Sequence, residues 1–197
     1  MTSRNPINSR EKTIMSNPDK IFPVNIAGIQ RSLPIIEIKP GVRIAVLNIL
    51  GDTELVQAAS KALSDMLSGL EYSVLVTAEA KSIPLAHAVS VVSRKPYVVL
   101  RKTHKPYMGE SLCAETLSIT TGKPQMLYLD KKDHSVVSGS SVVLLDDVIS
   151  TGSTLKSMRL LMAQAQAKVV GESAIFTEGD KNQWKNIYSL GHLPVFS

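Results

Sequence analysis

The sequence predicts an α/β fold: a central, mostly parallel sheet flanked by helices, with a β-rich segment toward the N-terminal end. Three observations carry this. The runs 97–100 and 142–145 are apolar throughout and too short for buried helices. Such runs are strands covered on both faces, as inside a parallel sheet. Helical patterns over 53–68 and after Gly152 alternate with the strands, the βαβ rhythm of a layered α/β domain. Between 22 and 50, short apolar runs instead alternate with breakers, which reads as β-ribbon.

Taken in order, residues 1–20 are polar, with Pro6 and Pro18, and lack any period. A flexible N-terminal arm is expected there; Arg4, Arg10 and Lys12 are too sparse for a nucleic-acid-binding tail. The 21–50 segment carries Val24, Ile26, Ile29, the run 33–38 and the Lys39-Pro40-Gly41 turn. It reads equally as a hood over a ligand or as an ordinary edge hairpin. The remainder, 51–197, is read as the α/β core. Asp52 or Thr53 caps a helix whose apolar positions include Leu55, Val56, Ala59, Leu63 and Leu67, and Gly69 ends it. A strand is expected at 72–77. It runs into Ala78-Glu79-Ala80-Lys81-Ser82-Ile83-Pro84, where Pro84 suits a first helical turn. The strand at 97–100 leads to Arg101, Lys102 and Lys105, three cations within five residues. Such a cluster suits a dense negative charge.

Residues 108–122 are weakly patterned, 125–129 form a short strand, and 130–134 read as a charged, solvent-facing turn. The helix after Gly152 is expected to end near 167, before a last core strand at 169–177. Trp184, Ile187, Tyr188 and the 193–196 tail are expected to pack as a closing flap. Trp184 suits either stacking on a base or ordinary core packing.

The organising stretch is 142–154. An apolar strand ends in Asp146-Asp147; Ser150-Thr151-Gly152-Ser153-Thr154 follows, and then a helix. Gly152 permits a tight turn and close backbone approach. Helix-start N–H groups and the helix dipole favour an anion. The hydroxyls of Ser150, Thr151, Ser153 and Thr154 add donors without charge, which fits a terminal monophosphate. Asp146 and Asp147 would repel a phosphate placed on them. They suit ribose hydroxyls or a hydrated magnesium.

This stretch resembles the phosphoribosyl-pyrophosphate (PRPP) motif of the type I phosphoribosyltransferases: apolar strand, Asp-Asp, two variable residues, a Thr-Gly-centred loop. The resemblance implies that fold, transfer of ribose 5-phosphate from PRPP to a nucleobase with Mg²⁺, and usually a homodimer. It also implies roles. Asp146 and Asp147 meet the ribose and help stabilise positive charge, and residues 150–154 grip the 5′-phosphate. Lys81, Ser82 and Glu79 belong to a pyrophosphate loop whose Lys-small-Ile-Pro-Leu-Ala run is similar to orotate enzymes. Arg101, Lys102 and Lys105 meet the pyrophosphate. The expected catalytic set is Asp146, Asp147, Lys81 and Arg101, with Asp146 and Asp147 the metal-facing pair. Residues 108–122 correspond to a loop that closes over the reacting centre. Within it Thr120 stands where adenine enzymes have a glutamate. Glu110 and Glu115 are nearby acids without an assigned role. Adenine or another purine is the expected base; an orotate-type pyrimidine enzyme and a PRPP-sensing regulator are the alternatives.

Composition agrees. A chain of 197 residues with 44% hydrophobic content suits one domain. The formal charge of +5 fits a small anionic substrate. The one cysteine, Cys113, excludes an intramolecular disulfide and fits a reducing compartment. No apolar run reaches membrane-spanning length, so no membrane partner is expected, nucleic acid is disfavoured, and the chain is read as cytoplasmic. Its four histidines lack metal-ligand spacing.

Overall fold

The computed structural model describes residues 20–117 and 124–197. The expected arm, apart from Lys20, and Thr120 lie outside the described residues.

The N-terminal segment forms β1 (Ile21–Ile26), β2 (Ile29–Lys39) and β3 (Val42–Ala45). They pair antiparallel, with Ile26 against Ile29 at the first turn. This is a separate sheet in the order β1-β2-β3-β11, not the edge of the main one. Its fourth strand, β11 (Val195–Phe196), comes from the other end of the chain. Arg31 on β2 straps the sheet to the core. Its guanidinium donates to both Asp52 oxygens at 2.7 and 2.8 Å and to Glu54 at 2.8 Å. Asp52 also caps helix α1 (Thr53–Leu67) by accepting from the Leu55 N–H.

The core is a five-stranded parallel sheet of β4 (Val74–Ala78), β5 (Tyr97–Leu100), β8 (Ser141–Ile149), β9 (Lys168–Glu178) and β10 (Tyr188–Leu193). Its order is β10-β9-β8-β4-β5. Helix α2 (Ile83–Ser93) follows β4, and α4 (Ser153–Gln164) follows β8. All five β4 residues are buried, as an apolar central strand requires. Two apolar layers cover the sheet. One joins Leu55, Leu63, Leu75, Leu85, Val143 and Ile175. The other joins Val76, Leu100, Leu144, Leu155, Met158 and Leu161.

Three expectations need correction. The segment after Met108 is not all loop: β6 (Leu112–Leu117) and β7 (Pro124–Leu129) form an antiparallel pair, Leu112 opposite Leu129. Small and polar residues there hid a strand in which Ala114 is buried while Cys113 and Glu115 face out. The charged turn is not wholly solvent-facing. Asp130 is buried and accepts from the Lys132 N–H ahead of the short helix α3 (His134–Val137). Finally, the C-terminal segment is no flap. Its first part, β10, is a strand of the main sheet, packed so closely that a Cβ on Gly191 would stand 2.6 Å from the Phe176 ring.

Candidate active site at the carboxyl edge of the parallel sheet

The strand order reverses direction between β4 and β8: β5 lies on one side of β4, β8 and β9 on the other. A crevice opens at the carboxyl ends of such strands, and open α/β sheets bind ligands there. Four strands deliver side chains to this rim. In spatial order these are Arg101 after β5, Glu79 to Ser82 after β4, Asp146 and Asp147 near the end of β8, and Glu178 at the end of β9.

The registers account for the meetings. Thr77 lies opposite Leu145, so the chain leaving β4 arrives beside the two acids. The Lys81 ammonium pairs with Asp147 Oδ2 at 2.6 Å and donates to the Leu47 carbonyl at 3.1 Å. Ser82 is almost fully buried, its Oγ 2.6 Å from Asp146 Oδ1 and 3.1 Å from Asp147 Oδ1. That oxygen also accepts the Asp147 N–H at 3.0 Å. With a single proton, Ser82 donates to one carboxylate at a time. Its hydroxyl thus ties the chain leaving β4 to both acids.

The acids differ in surroundings. Asp147 is buried with its charge balanced by Lys81. Asp146, partly buried, is pushed up to about 7, first by loss of hydration and then by the neighbouring Asp147 charge. The Ser82 hydroxyl and the Asp147 N–H, at 2.6 and 2.9 Å, pull the other way.

Glu79 works as a brace. Its carboxylate accepts from the Arg101 guanidinium and, at 2.7 Å, from the Lys102 N–H. This pair raises the guanidinium's pKa. The brace holds the basic stretch against β4. Arg101 also reaches the Tyr107 hydroxyl at 3.3 Å. Lys102 and Lys105 are exposed, and neither ammonium is paired among the described residues.

Residues 150–155, with Asp146, Val148 and Ile149, line a cavity of about 90 Å³. Gly152 caps α4 with φ of +72°, a left-handed turn, and its Cα faces the Trp184 ring. An added Cβ would stand 2.9 Å from that ring. The first α4 amides face this loop without intrahelical partners. Trp184 is fixed from behind, its indole N–H donating to the Glu178 carbonyl at 2.8 Å. It packs against the protein core and the loop rather than standing free for stacking.

One rim residue escaped the sequence reading. The register pairs Ile149 with Thr177, so the next residues, Ser150 and Glu178, stand side by side. Ser150 Oγ donates to Glu178 Oε2, and Glu178 is 4% exposed. An acid directly after an apolar core strand was the available signal, the same one that marked Asp146. The Ser150 proton is thus directed at Glu178, while Thr151, Gly152, Ser153 and Thr154 line the cavity beside it.

A phosphoribosyl transferase domain model matches residues 48–189. The chain belongs to this family. The phosphoribosyltransferase domain is similar to the purine biosynthesis transcriptional repressor PurR of Bacillus subtilis, at 29% identity over 134 residues, covering 68% of this chain and 46% of the relative. It is 37% identical over 113 residues to a hypoxanthine/guanine phosphoribosyltransferase of Methanococcus vannielii, covering 57% and 56% of the two chains. The chain thus spans about half the length of these curated relatives. Among solved structures, adenine phosphoribosyltransferase from Thermoanaerobacter pseudethanolicus superposes with a TM-score of 0.63 at 19% identity, over 87% of this chain and 95% of that one. The Giardia lamblia enzyme in complex with 9-deazaadenine gives 0.63 at 17%, over 87% and 93%. These likenesses establish the type I phosphoribosyltransferase fold expected from the sequence.

Proposed function

We propose that this domain transfers ribose 5-phosphate from PRPP to a purine base, forming a nucleoside monophosphate and pyrophosphate. The observation carrying this is the shared rim: an uncharged, amide-lined cradle at 151–154 and cations at Lys81 and Arg101, with the Asp146-Asp147 pair between. One phosphorylated sugar with a diphosphate at its other end spans such a set.

The chemistry follows from the charges. As the bond from C1 of ribose to diphosphate breaks, negative charge grows on the leaving group, and Arg101, Lys102 and Lys105 stabilise it there. Lys81 joins them by exchanging its Asp147 partner for the diphosphate. The freed acids then accept from the ribose hydroxyls and face the positive charge growing on the sugar. No group of three or more His, Cys, Asp or Glu side chains capable of holding a metal occurs among the described residues. Two acids at one rim fit a magnesium that arrives on PRPP and keeps water, the usual mode for phosphate-bound magnesium. When bound, Mg²⁺ neutralises the departing diphosphate.

The base is a purine on this reading. Adenine is favoured by the structural neighbours, and hypoxanthine or guanine by the sequence relatives. Pyrophosphate release with PRPP, Mg²⁺ and each base in turn tests it; turnover is expected with one of these purines, and turnover with orotate alone refutes it. A PRPP-sensing role is favoured by the PurR likeness. Magnesium-dependent PRPP binding without transfer to any base would select that role.

The domain is further proposed to act as a homodimer. Helix α2 is mostly apolar, His87, Ser90 and Ser93 apart, yet only Leu85, Ala86 and Val89 are buried, leaving Val91 and Val92 65% and 47% exposed. Large apolar side chains exposed side by side mark an interaction face. Among the described residues no helix is long and apolar enough to cross a membrane.

A further inference from the structure

The proposed transfer leaves one proton unassigned. The ring nitrogen that bonds to C1 of ribose either carries a hydrogen or acquires positive charge in the ring as it attacks. That proton must leave, and the cations of the rim cannot accept it. Asp146 and Asp147 both sit against Ser82, and once Lys81 turns to the diphosphate they are taken up by the ribose hydroxyls. Glu110 is almost fully exposed and pairs loosely with Lys131 at 3.6 Å. Glu115 faces outward from β6. Glu172 is occupied by Arg159.

Glu178 remains. It is a buried carboxylate on the strand next to the acidic pair, and no cation pairs with it among the described residues. Its Oε2 accepts from Ser150, an exposed residue that lines the same cavity as Asp146. Ser150 therefore has one side toward the carboxylate and its oxygen lone pairs available to a ligand. Its backbone position is fixed by the end of β8, and that of Glu178 by the end of β9 and the Trp184 bond to its carbonyl. A rigidly held hydroxyl between an open cavity and a buried carboxylate is the arrangement of a proton relay.

We propose that Glu178 is the proton acceptor of the transfer, acting through the Ser150 hydroxyl. This rests on the PRPP-dependent reading above. The nitrogen–C1 bond forms as the C1–oxygen bond breaks, and the bonding pair of the latter leaves on the diphosphate. The proton of the base passes to Ser150 Oγ while the Ser150 proton passes to Glu178. The products are the nucleotide, pyrophosphate and a protonated Glu178, which returns its proton to water when the site opens. No other reactant is needed.

A Glu178→Gln protein tests this, because the amide oxygen still accepts from Ser150 while losing its basicity. The turnover rate kcat is expected to fall about 100-fold or more, with PRPP affinity by calorimetry within about threefold of wild type. The loss should shrink with an 8-aza purine, whose ring N–H is more acidic and needs less help. A purely structural role for the Ser150 bond predicts an unchanged rate in Glu178→Gln and equal effects on both bases. Either result overturns the proposal. Ser150→Ala, which keeps the carboxylate, should show the same loss of kcat with PRPP binding retained; a wild-type rate there also overturns it. If the wild-type protein binds PRPP but transfers to no base, the underlying reading falls and takes this one with it. If wild type turns over and Glu178→Gln does too, only the relay falls.

Discussion

Asp146 and Asp147 are neighbours in the chain, but the fold gives them opposite environments. Asp147 has a cation at 2.6 Å; Asp146 has lost water and faces another negative charge. The sign of the resulting pH dependence is set by the raised folded value. In the unfolded chain Asp146 ionises near the usual ~3.9, whereas in the fold it holds its proton up to about 7. Its ionisation therefore opposes folding, with no effect below about pH 4 and the full effect above about 7. Asp146→Asn removes that cost. Melting temperature measured against pH should show the variant gaining on wild type as pH rises from 4 to 8 (roughly the interval between the two ionisations). Parallel curves would show that Asp146 ionises normally. A carboxyl held against its own ionisation in a crevice is a feature that clusters at ligand sites.

At the level of elements, the joint between β8 and α4 decides whether a phosphate is held. Gly152 adopts φ of +72° with Trp184 closing its outer side. A side chain in the left-handed region costs about 1–2 kcal/mol, and the 2.9 Å approach to the ring adds a clash. Gly152→Ala should thus weaken PRPP binding at least tenfold by calorimetry, since relief of the clash moves either the loop or Trp184. Affinity equal to wild type would place the phosphate elsewhere. The same joint shows what a linear reading reaches. Strand, acids, glycine and helix were legible because each is local: an apolar run, a charge pair, a φ requirement, a periodicity. Trp184 against Gly152 was not legible, because the contact joins positions 32 residues apart (184 − 152) through the docking of β10.

For the whole molecule, the described chain leaves an apolar helix face uncovered. Val91 and Val92 lie on α2, the helix that follows the Lys81 loop. An interface there would brace the cationic side of the site from behind. Sedimentation should show wild type as a dimer and Val91→Glu as a monomer with an unchanged far-ultraviolet spectrum, because a charge in an apolar interface is costly while on an exposed surface it is not. A monomeric wild type would remove the dimer proposal without touching the rim.

The sequence by itself determined the α/β class, the apolar strand runs at 97–100 and 142–145, and the helices after Asp52 and Gly152, though the first run became the half-covered edge strand β5 and α4 ends at Gln164, short of the expected 167. All of these follow from short-range pattern and side-chain chemistry. Only the tertiary structure decided that Ser82 serves the acids, that Glu79 serves Arg101, that the last segment supplies a strand to each of two sheets, and that Glu178 stands beside Ser150. These are facts of strand register and order. A period of two along a strand tells which face a side chain occupies, but which strand lies next to it is set by packing among residues distant in the chain.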